Sequence, residues 1–130
     1  MMKKFKPVIA ILASTAWISL SEFFRNQVLL QSYWIEHYKS LGLAFPSKPF
    51  NGAMWGLWSL FFAFAIFTIS KKFDFLSTFL LSWFIGFVLM WIVIGNLGVL
   101  PFAILPYAIP LSVLEAFVAV WITRRIALKA

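Results

Sequence analysis

The sequence predicts an all-α integral membrane protein: a four-helix bundle with both termini cytoplasmic and a short amphipathic helix in the membrane interface between helices one and two. Three observations predict it. Of 130 residues, 63% are hydrophobic and only 12% charged, about half the charged share of an ordinary soluble domain. The apolar residues gather in long runs, each near the ~20 residues that cross a bilayer as helix. The basic residues cluster at the ends of those runs rather than along one face. A single domain of this length has no core large enough to hide so many apolar side chains from water, so lipid is expected to solvate much of the surface. Backbone groups in hydrocarbon must be satisfied within their own segment, and no run shows the period-two alternation of a barrel strand, which leaves helices.

The runs cover 7–24, 53–70, 75–94 and 100–123 of a single transmembrane domain, 1–130. Lys3, Lys4 and Lys6 precede the first, Lys71 and Lys72 separate the second from the third, and Arg124, Arg125 and Lys129 follow the fourth. The connection between runs three and four has no Lys or Arg, and Arg25, Lys39 and Lys48 fall between runs one and two. The positive-inside rule then puts both termini in the cytoplasm, and the expected location is a cell membrane, the bacterial inner membrane in particular. Lys71, Lys72, Arg124 and Arg125 also sit where helix dipoles favour cations, and Asp74 is placed to cap the third helix. Tyr33, Trp34, Trp55, Trp58, Trp91 and Trp121 lie near the borders, as in an aromatic belt. Three lysines before an apolar stretch also resemble a signal peptide with Ser14 and Ala16 before a cut. Cleavage there would leave about six apolar residues, short of the usual ~7–15, so a retained helix is expected.

The segment 31–52 is longer than an ordinary connection, and such segments tend to have structure or function of their own. Trp34, Tyr38 and Leu41 recur at i, i+4 and i+7 among polar neighbours, which reads as a short interfacial helix covering the bundle mouth, with Pro46 and Pro49 ending it. The fourth run carries Pro101, Pro106 and Pro110. A continuous helix through them would leave the carbonyls of Phe102 and Pro106 without helical donors. The two solutions are a kinked helix, which is preferred, or a re-entrant 96–109 stretch with the helix proper beginning at Pro110.

Glu22 and Glu115 are the informative residues, because a carboxylate at membrane depth is a functional-site hypothesis by default. Glu115 lies nine residues before Arg124, ~14 Å in and near the midplane. Glu22 sits late in the first helix with Arg25 at i+3, a spacing that allows pairing on one face. Thr15, Ser19, Glu22 and Asn26 form one small or polar stripe, and Ala108, Ser112, Glu115 and Ala119 another. Gly52, Gly56 and Ser59 make a weaker stripe, as do Thr78, Ser82 and Gly86. Such faces turn toward other helices in a bilayer. Gly52, Gly56, Ser82, Gly86, Ala108 and Ala119 are therefore the expected helix-packing positions. Glu22, Arg25, Asn26, Ser112 and Glu115 are the candidate path for a proton, an ion or a substrate; the other reading is that Arg25 bridges helices one and four through Glu22 and Glu115 and only fixes their register.

Several function classes are excluded or disfavoured. With no cysteine and one histidine, His37, thiolate chemistry and a histidine-rich metal site are ruled out within one chain. No nucleophile–base pair, phosphate loop or cofactor fingerprint is present, so no catalytic residue, metal or cofactor is expected and an enzyme is disfavoured. The net charge of +7 is placed as a topology signal, which argues against nucleic acid. In size and layout the chain resembles the small four-helix multidrug exporters. Glu22 is later in its helix than their membrane glutamate, and the 31–52 segment and triple-proline run have no counterpart there, so the resemblance assigns no residue a role. The expectation is a small proton- or ion-coupled transporter or channel using intramembrane glutamates, as a homo-oligomer in the bilayer. The alternative is a non-catalytic subunit packed against a larger membrane partner.

Overall fold

A computed structural model of the chain describes residues 2–128, which form an all-helical bundle with no strand among them. Helix α1 runs Met2–Phe23 and continues as a wide π-helical turn, Phe24–Leu29. Helix α2 is Gln31–Ser40 and α3 is Pro49–Ser70. Helix α4, Phe75–Asn96, contains a second π-helical stretch at Phe84–Val88. Helix α5, Phe102–Leu128, opens with one 3-10 turn, Phe102–Ile104, and closes with π turns, Arg124–Leu128. The four long helices, α1, α3, α4 and α5, are long and apolar enough to cross a membrane.

Local chemistry sets the boundaries. Pro49 opens α3, where its missing N–H costs nothing, and the Asn51 side chain accepts the Lys48 backbone N–H at 3.0 Å. This moves the expected end of the interfacial segment back from Gly52 to Lys48. Of the two readings of the fourth run, it is the re-entrant alternative, with the helix proper beginning at Pro110, that is corrected. The chain turns at Leu97 and Gly98, where Gly98 takes φ +80°, and the α-helix begins at Leu105 with Pro106 in its first turn and Pro110 inside. The Phe102 carbonyl is not stranded, because the Leu105 N–H reaches it through the 3-10 turn. A tighter turn supplies a donor one residue earlier than an α-helix would.

Helix α5 lies against α1, α3 and α4. Its buried positions explain the close approach: Ala108, Ser112, Ala116, Ala119 and Thr123 are all small, so backbones draw near and hydroxyls bond across or back to carbonyls. Ser14 and Thr123 join hydroxyl to hydroxyl at 2.8 Å, and Arg124 donates to the carbonyls of Ser70 and Phe73 at 3.2 and 3.0 Å. These contacts bring Lys71, Lys72, Arg124 and Arg125 to the end of the bundle where α1 begins. Lys129 lies outside the described residues. On α1 the inward line passes through Ala10, Ser14 and Ile18, all fully buried; Thr15, expected in the stripe, is only half-buried and bonds its own Ile11 carbonyl.

Asp74 caps α4 by accepting the Ser77 backbone N–H at 2.8 Å. That bond and the Ser77 hydroxyl, with a smaller contribution from Arg124, hold its carboxyl below its ordinary 3.8. A carboxyl depressed in the folded state adds stability above its unfolded value and loses it as pH falls through the folded one. In detergent, Asp74→Ala is therefore expected to lower the thermal midpoint at neutral pH. The difference from wild type should fade in acid once the folded-state value has been passed.

Candidate functional site

The interior is polar where the exterior is not. Leu12, Leu20, Phe61, Leu76, Ile92 and Leu114 are exposed, while Glu22, Arg25, Asn26, Ser59, Thr78, Ser82, Ser112 and Glu115 are buried. At the centre, Arg25 Nη2 donates to Glu22 Oε1 at 2.6 Å and Arg25 Nη1 to Glu115 Oε1 at 3.2 Å. Side-chain exposures are 5% for Arg25, 4% for Glu22 and 0% for Glu115, so these pairs are shielded from water and little screened. The guanidinium also lies 5.3 Å above the Phe87 ring, a cation–π contact from α4.

The wide turn in α1 makes this geometry possible. The Leu30 N–H reaches back five residues to the Arg25 carbonyl at 2.8 Å. Neighbours in a regular α-helix point ~100° apart, yet Arg25 and Asn26 are both buried here. In α4 the Leu89 N–H likewise reaches the Phe84 carbonyl, and the stretch it closes carries Phe87. Such turns recur at functional sites, and nothing in residue order marks them.

Asn26 extends the network. Its amide donates to Glu22 Oε2 at 3.1 Å and to the Glu22 carbonyl at 3.2 Å, while its own oxygen accepts the Trp34 indole N–H at 3.0 Å. Trp34 belongs to α2, which is also held by His37, whose ring nitrogen donates to the Gly98 carbonyl at 2.8 Å. Helix α2 is thus tied to the buried charges through Trp34, Asn26 and Glu22. Above them is an open cavity of about 390 Å³, walled by Trp34, Tyr38, Phe45, Trp55, Trp58 and Trp91, with Glu22, Arg25 and Asn26 at its floor. Several tryptophans expected in an interfacial belt therefore wall the cavity.

Glu22, Arg25, Asn26 and Glu115 come together as the sequence suggests, but Ser112 does not join them. Its hydroxyl donates to the Ile109 carbonyl and accepts the Trp83 indole N–H, both at 2.9 Å, which makes it a tie between α4 and α5. Ser82, Ala108 and Ala119 are buried, and Gly86 sits directly under Phe62. Gly52 and Gly56 are corrected: a Cβ at either would meet nothing within 4 Å, so they seat no helix of this chain. The missed residues are Phe87, Trp83 and Trp17, whose indole N–H donates to the Glu115 backbone carbonyl at 3.0 Å. The available signal was a tryptophan deep in an apolar run, whose N–H must find an acceptor. The chain matches no protein-family model, no curated protein and no solved structure.

Proposed function

We propose that this chain is a multi-pass protein of a cell membrane, the bacterial inner membrane in particular, with both termini cytoplasmic, and that it works as a small proton-coupled carrier. An apolar exterior around a polar interior is the distribution expected when lipid is the solvent. The gathering of basic residues at one end of the bundle supports the orientation through the positive-inside rule.

The observation that carries the reading is the Glu22–Arg25–Glu115 network, in which Glu22 and Arg25 form the floor of an open cavity and Glu115 lies buried beneath them. Two carboxyls face one guanidinium. With both ionised the floor holds one uncompensated negative charge; with one proton bound it is neutral. A cavity floor that changes charge by one proton at membrane depth is what coupling solute binding to proton movement requires. Glu115 Oε2 is buried and, among the described residues, has no hydrogen-bond partner, so it is the atom of the network with capacity to spare for that proton. Displacement of α2 would break the Trp34–Asn26 bond and release one constraint on Glu22, linking the mouth of the cavity to its floor.

The test is proton flux across proteoliposomes containing the full chain. Glu115→Gln keeps an oxygen for Arg25 and leaves Arg25 paired with Glu22, so the fold should persist while proton-coupled flux falls to background. Unchanged flux in a folded Glu115→Gln protein would reduce the network to a structural clamp and end the carrier reading.

A further inference from the structure

We infer that Glu22 is reached sideways, through a cleft between α1 and α3, by a membrane-dissolved amphiphile whose polar end donates hydrogen bonds, an amine or a hydroxyl. This rests on the carrier reading in placing the cleft within lipid, and it names the class of molecule the site takes.

A second open cavity, of about 490 Å³, lies on the flank of the bundle between Ser19, Leu20 and Phe23 of α1 and Gly52, Gly56 and Ser59 of α3. It shares Glu22, Asn26, Pro46, Asn51 and Trp55 with the aromatic cavity. Glu22 therefore has two approaches, one from the mouth and one from the side. The side approach exists because of the two glycines, since any larger residue there would project into the space they leave empty. Leu20 and Phe23, 69% and 62% exposed, form an apolar lip suited to a hydrocarbon body. For a chain in a bilayer this lip faces acyl chains, so a ligand entering here partitions into lipid first.

The polar end is set by the groups it would meet. Ser59 spends its proton on the Trp55 carbonyl at 2.9 Å, and Asn26 spends its amide on Glu22, so both are poor donors toward the cleft. Each carboxylate oxygen of Glu22 can accept two hydrogen bonds, and Arg25 and Asn26 take one on each. Beside Glu22 what remains is acceptor capacity, which selects a donor head over an anionic one; Lys48, the cation that also lines this cavity, is exposed at the start of α3.

The experiment uses the full chain in liposomes containing a photoreactive long-chain primary amine, the matching alcohol or the matching carboxylic acid, with adducts mapped by mass spectrometry. Amine and alcohol are expected to label 19–27 and 51–59 at least roughly tenfold over the acid. Gly56→Leu projects into the cleft from a position whose Cβ meets no atom within 4 Å, and it should abolish that labelling while the helical content is kept. Gly52→Leu serves equally if the first variant fails to fold. Glu22→Gln should weaken the amine more than the alcohol, which shows which head the site prefers. Labelling spread evenly over other exposed faces, equal labelling by the acid, or labelling indifferent to both glycine variants would overturn the proposal, as would crosslinks showing the cleft filled by a second copy. Labelling needs no gradient, so a chain that binds but carries no proton would keep this result and fail the flux test. An ion path alone would do the reverse.

Discussion

Arg25→Met is expected to destabilise the protein by about 3–5 kcal/mol, the range for removing one partner from a buried ion pair. The side chain fits the same channel, so the loss is electrostatic rather than steric. Glu22 and Glu115, 4% and 0% exposed, would face each other with no cation between them and little surface open to water. Thermal or denaturant unfolding in a fixed detergent measures the effect. The diagnostic is rescue: Glu22→Gln with Glu115→Gln, added to Arg25→Met, removes both stranded charges and should recover most of the stability. Failure of the triple variant to recover would mean that Arg25 acts through its contact with Phe87 rather than through its charge.

Gly86→Val is the second large effect, a destabilisation of about 1–3 kcal/mol from overpacking. A Cβ at Gly86 would stand 2.6 Å from Phe62 Cε1 and 2.7 Å from Cζ. A ring edge can often swing aside, but this one is confined. Phe62 stacks on Trp58 with centroids 5.0 Å apart and meets Phe87 edge-on at 5.7 Å. Phe87 is also the ring beneath Arg25, so displacement at Gly86 is passed to the ion pairs. Phe62→Ala makes room for the new side chain, and in a double-mutant cycle the two changes should cost clearly less together than the sum of their separate costs. An additive cycle would show that the clash is relieved elsewhere.

The glycines illustrate how far residue order reaches. Gly52, Gly56 and Gly86 all belong to small-residue stripes at helical spacing, and on that ground each is expected at a helix contact. Gly86 is at one; Gly52 and Gly56 border an open cleft. The stripe says only that a backbone can be approached closely there. Whether anything approaches depends on how neighbouring helices cross, which spacing along one helix does not encode. Ser112 repeats the point: it lies on the same face as Glu115 but bonds Trp83, because helix α4 rather than α1 passes beside it.

What could be read directly from the chain was whatever depends on local order. Four helices long and apolar enough to cross a membrane follow from run length and composition, the Asp74 cap from a polar residue before an apolar run, and the Glu22–Arg25 pair from i, i+3 spacing within one helix. Residue order offers Arg25 as a bridge between Glu22 and Glu115 only as one reading among others, and which pairs form across helices was decided by the fold. That Glu115 completes the ion network, that Phe87 lies under the guanidinium, and that Trp34 ties the short helix to Asn26 all depend on two wide turns, in α1 and α4, that rotate residues inward. Such a turn exchanges helical hydrogen bonds for contacts made between helices. Its cause therefore lies in side chains distant in sequence, where a reading along one helix has no access.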